Sequence, residues 1–148
     1  MRMFIVCAFL TMFCATLFPA EPEPFSAKEG EAIKVYEVAK PLVIACVEAV
    51  PNDSFELSIE WVAEIAKTNE IALDAIKAAL SKDPFISDYI VWELKRYAKK
   101  NLAIAEQTES EDKAKFITAS ENAHKQAKVL EFLIDTWAPH EKQLKEVK

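Results

Sequence analysis

Beyond residue 25 the chain repeats apolar positions with a period near 3.6, broken by prolines and short polar clusters, whereas its first twenty residues follow another pattern. Ser26 and Glu29 form a capping-box pair that opens a first helix. At Pro41 the chain either kinks or starts again, because proline removes a helical hydrogen bond and crowds the preceding turn. From Pro41 to Val50 the segment is apolar nearly all round, which predicts a central position in a bundle.

Pro51 to Ser54 reads as a turn, and Asp53 with Glu56 offers a second capping box for a helix over about 54–67. Phe55, Leu57, Ile59 and Trp61 alternate with polar residues as in a strand, but Ile59, Val62, Ile65 and Ala66 fit a helical stripe. Helix is preferred, since a lone strand has no partner. Asn52-Asp53-Ser54 also matches a glycosylation pattern, and turn and cap explain it better. A third helix is expected from Thr68 or Asn69, with Ile71, Ala72, Ala75, Ile76, Ala79 and Leu80 on one side. Asp83-Pro84 marks the start of a fourth, about 84–105, with Ile86, Ile90, Leu94, Tyr97, Ala98 and Ala105 along one face. After the polar break at 107–112, Phe116, Ala119, Ala123, Ala127, Leu130, Ile134 and Trp137 trace a long fifth helix that Pro139 ends or bends. The expectation is an all-α fold, a compact bundle of about five helices over a single domain at 26–148.

The N-terminal pattern differs in kind. Arg2 precedes an apolar run from Phe4 to Phe18, then come Pro19-Ala20 and a Pro/Glu linker at 21–25. This reads as a signal peptide over 1–20 cleaved after Ala20, with an uncleaved membrane anchor as the rival, and it places the domain outside the cytoplasm, secreted or periplasmic. Phe18 at the third position before the cut is bulkier than such sites prefer. Phe13 before Cys14 argues against lipid attachment.

Composition narrows the function. The chain has 18 basic and 24 acidic residues; without Arg2, the 128 residues after Ala20 carry 17 and 24, a net charge of −7. Only Cys46 then remains, so no intrachain disulfide forms, and its apolar flanks read as a buried thiol. One glycine in the chain, Gly30, excludes phosphate-cradling loops, nucleophile elbows and dinucleotide turns.

Catalytic and metal chemistry is thinly represented. Glu121 and His124 have the Glu-x-x-His spacing of di-iron bundles, but His140 has Trp137 where a second Glu is required. Pairing Cys46 with a histidine needs a polar cleft that its flanks do not offer. Carboxylate pairs suited to glycoside chemistry arise by chance among so many acids. No cofactor and no enzyme activity are expected.

Charge supplies the most specific signal. Residues 21–74 have net charge −8 and residues 75–148 net +1. Lys95, Arg96, Lys99 and Lys100 fall within about 140° of the fourth helix, and Trp92 lies in the same arc. Tryptophan among cations is a common interface anchor. Against this stands a second buried stripe of Phe85, Tyr89 and Trp92 with the lysines simply solvated. Nucleic acid is not expected, because the domain is acidic and has one arginine, Arg96. The leading expectation is an interaction protein such as an inhibitor, immunity-type factor or envelope adaptor, whose acidic half approaches a basic protein partner. The alternative is a carrier of an apolar ligand held between helices near 41–50 and 85–94. Membrane contact is expected only if the signal segment is retained.

Overall fold

The computed structural model describes residues 23–50 and 56–139, and among them the secondary structure is entirely helical. The signal segment, the cleavage site at Ala20, the Asn52 pattern, Asp53 and His140 lie outside the described residues. The chain is an all-α bundle. Its helices are α1 (Glu23–Ala49), α2 (Ile59–Thr68), α3 (Leu73–Lys82), α4 (Pro84–Glu106) and α5 (Asp112–Trp137).

Helix α1 begins inside the expected linker and runs through Pro41 without a second start, so Ser26 lies within the helix rather than capping it. Its buried residues explain the continuity. Ala32, Tyr36, Ala39, Val43 and Cys46 recur at alternating spacings of four and three, one seam that continues on both sides of the proline. Packing along that seam outweighs one lost hydrogen bond, while Pro41 itself faces outward.

Helix α2 starts later than the capping-box pattern predicts. Residues 56–58 lie outside the helix, Ser58 is extended, and its hydroxyl accepts the Trp61 amide at 3.2 Å as the N-cap. The helix ends with the Ile71 amide donating to the Ala66 carbonyl at 2.8 Å and the Glu70 amide to Lys67 at 3.2 Å. This is a Schellman motif, and its left-handed position is held by Glu70 at φ 55°. Ile71 then packs on the core, so α3 begins at Leu73 and not at Thr68 or Asn69.

Asp83 separates α3 from α4, and its side chain accepts the Phe85 amide at 3.0 Å with Pro84 in the first turn. The Ser87 hydroxyl donates to the Leu80 carbonyl at 2.7 Å, fastening the end of α3 to α4. A short loop then reverses the chain into α5, and α4 with α5 forms the largest interface of the bundle. Helix α1 touches all four of the others, so one core joins Leu42, Val43, Val62, Leu80, Ile90 and Leu130. The Tyr36 hydroxyl donates to the Gln126 side-chain carbonyl and ties α1 to α5.

Gly30 sits within α1, with nothing inside 4 Å of where a Cβ would stand. The chain thus spends its one glycine in a helix and places glutamate at a left-handed turn. Gly30→Ala and Glu70→Gly are each expected to raise stability by about 1 kcal/mol, through helix propensity and relief of the left-handed penalty. Urea melts of the two single variants and the double variant check this, and additivity is expected because the sites share no partner.

Candidate functional site

The cap at Asp83 sets the phase of α4, and residue size along its inner face then shapes the α4–α5 seam. Ile86, Tyr89, Ile90 and Leu94 fill the bundle core, whereas Ala98, Asn101 and Ala105 follow in the second half. On α5 the residues Ser120, Ala123 and Ala127 are equally small and buried. The backbones approach closely enough for the Ser120 hydroxyl to donate to the Ala98 carbonyl at 2.7 Å. Longer side chains stand on either side of this tight contact. They enclose a groove of about 580 Å³, open to solvent along one side, lined by Lys95, Ala98, Lys99 and Leu102 of α4 and Ile117, Ser120, Glu121 and His124 of α5. Leu102 is 47 % exposed, one of two large apolar side chains so exposed among the described residues; the other is Val38 on α1.

The structure divides the five residues singled out from the sequence. Lys95 and Lys99 line the groove. Lys100 is exposed on α4 but does not line it. Trp92 is half-buried against the core, and its ring stacks on Tyr89 with centroids 6.1 Å apart. Arg96 lies over the same ring, 5.3 Å from its centroid, and meets the fully buried Glu93 carboxylate at 3.3 Å. Trp92 and Arg96 thus contact each other along α4, and Trp92 also packs against the core, while Phe85 and Trp92 are each only half-buried. Lys95 reaches Glu131 of α5 at 3.1 Å and so braces the helix pair from the groove wall.

Trp92→Ala combined with Lys95→Glu separates packing from surface. The tryptophan truncation is expected to cost about 2–3 kcal/mol, below the usual range for a fully buried aromatic. The reversed charge beside Glu131 adds less than about 1 kcal/mol. A folded circular-dichroism spectrum with a lowered urea midpoint is the expected result.

Leu102, Ile117 and Ser120 were not singled out by sequence reasoning. A signal existed for Leu102, which follows Lys95 by seven residues and Lys99 by three and so falls on the cationic side of α4. Glu121 and His124 stand on one face of α5, as their spacing predicts, and both line the groove. Among the described residues, no group of three or more histidine, cysteine or carboxylate side chains is placed to hold a metal ion.

Cys46 is fully buried in the core, and burial pushes its thiol up from an ordinary 9.0 to about 11. Tyr36 is raised as well, by burial first and by the neighbouring Glu37 second. The apolar segments near 41–50 and 85–94 contribute Leu42, Val43 and Cys46, and Ile86, Ile90 and Leu94, to one packed core, so the groove is formed elsewhere. Among the described residues, no helix is long and apolar enough to cross a membrane. No protein-family model, curated protein or solved structure matches this chain.

Proposed function

We propose that the protein is a small exported binding module that engages another protein through the open α4–α5 face, and that it performs no catalysis. One observation carries this reading: the groove lining sets the half-exposed Leu102 and the apolar Ile117 beside Lys95, Lys99, Glu121 and His124. An apolar centre with a charged rim is the ordinary layout of a protein interface. The basic groove wall and the acidic residues of α1 and α2, among them Glu31, Glu37, Glu60 and Glu64, give the surface two electrostatic characters. An acidic partner segment suits the first, and a basic partner surface, as expected from composition, suits the second.

Carriage of an apolar small ligand is the second reading. The groove volume falls within the roughly 300–1,000 Å³ of ligand pockets. Its open side argues against this, since a bound ligand would keep much of its surface in water.

The reading is tested by affinity purification of the tagged full chain from its native extracytoplasmic fraction at low and high salt, in parallel with Leu102→Lys. A stoichiometric protein retained by the native chain, lost from the variant and released by salt is the expected result. Retention indifferent to Leu102→Lys rejects this face, and a co-purifying lipid without protein moves the carrier reading ahead.

A further inference from the structure

The groove has the length of a helix seat. From Lys95 to Leu102, and from Ile117 to His124, each wall spans eight residues, about two turns and about 10 Å. A trough between two antiparallel helices is filled most completely by a third helix, whose side-chain ridges enter the space between the walls. A bound strand would find no sheet edge here, as the described residues contain no strand. A small amphiphile would lie half in water.

The walls also differ in charge. Lys95 and Lys99 stand one turn apart on the α4 wall, while Glu121 stands on the α5 wall with His124. Carboxylates four residues apart on an incoming helix would each meet one lysine. If the same helix lay in the opposite direction, its acids would face Glu121, so the charge pattern selects direction as well as partner. Lys95 already shares Glu131 at 3.1 Å. The lysines therefore contribute mainly orientation and encounter rate, and covering Leu102 and Ile117 contributes affinity.

We infer that the α4–α5 groove receives one amphipathic helix of a partner protein, its apolar stripe on Leu102 and Ile117 and its acidic flank along Lys95 and Lys99. This rests on the binding-module reading above. The test uses two synthetic three-turn helical peptides titrated into the ¹⁵N-labelled full chain, with amide shifts as the readout. Both carry leucines at i, i+4 and i+7; one has glutamates four apart on a single flank, the other has lysines there.

The Glu-flanked peptide is expected to move amides of residues 95–102 and 117–124 and to bind at least tenfold tighter than the Lys-flanked one. Lys95→Glu with Lys99→Glu should invert that preference, and Leu102→Lys should weaken the Glu-flanked peptide at least tenfold, with dispersed spectra confirming that each variant folds. Equal binding of both peptides, shifts confined to other helices, or a preference that survives charge reversal overturns the inference. Saturation of the same amides by dodecanoate, with neither peptide binding, assigns the groove to a small amphiphile and overturns it too. Partner capture that still depends on Leu102, combined with no discrimination between peptides, removes the helix and leaves the binding face. Capture indifferent to Leu102 removes the face itself.

Discussion

Leu130→Ala is expected to cost about 2–5 kcal/mol of folding stability, whereas the same truncation at Leu102 is expected to change it by no more than about 0.5 kcal/mol. The side chains are identical and both lie on the α4–α5 hairpin. Their surroundings differ: Leu130 is fully buried in the core cluster shared by all five helices, while Leu102 keeps 47 % of its surface in solvent. Removing three heavy atoms at Leu130 leaves a void that packed neighbours cannot close. At Leu102 it only enlarges an open groove. Urea unfolding at constant m-value measures both. A cost above about 2 kcal/mol at Leu102 would make it part of the packed core and would deprive the binding face of its apolar centre. The comparison thus examines packing and function in one pair of variants.

How far the sequence discloses this arrangement depends on whether a feature is local. Asp83-Pro84 and the polar stretch 107–112 are local signals, and α4 and α5 begin and end within a residue or two of where they point. Pro41 is a local signal that lost to a non-local one, the seam of Ala32, Tyr36, Ala39, Val43 and Cys46 on both sides of it. The α2 to α3 turn was misplaced because its left-handed residue is Glu70, where a glycine would have announced the helix end. The start of α2 departs from the capping-box pattern because Ser58 meets the first free amides of the helix. At the candidate site, the cationic arc of α4 was legible, including Lys95 and Lys99. The groove was not, since it exists only where Ile117, Ser120, Glu121 and His124 of a second helix come alongside. Trp92 shows the same limit: its place in the arc follows from helical geometry, but its stacking on Tyr89 and contact with the core depend on neighbours that one helix pattern does not specify.

Cys46 should be nearly inert in the folded protein, alkylated at least about 1,000-fold more slowly at pH 8 than in denaturant. Full burial denies the reagent access until the bundle opens, and while it is closed the same burial raises the thiol from 9.0 to about 11, which lowers the thiolate fraction about a hundredfold at that pH. Site-resolved mass spectrometry of the Cys46 peptide measures this without interference from Cys7 and Cys14. The same shift couples to stability. Because the folded state holds the thiol proton more tightly than the unfolded chain, the stabilisation is complete below about pH 9 and is lost progressively as pH rises toward 11. Tyr36, also raised by burial, extends the decline to still higher pH. Cys46→Ala should flatten the first part of that alkaline limb and Tyr36→Phe the later part, while each loses some packing at neutral pH. Fast native labelling of Cys46 would mean a thiolate reached by solvent, returning nucleophilic chemistry to consideration in place of a purely structural thiol.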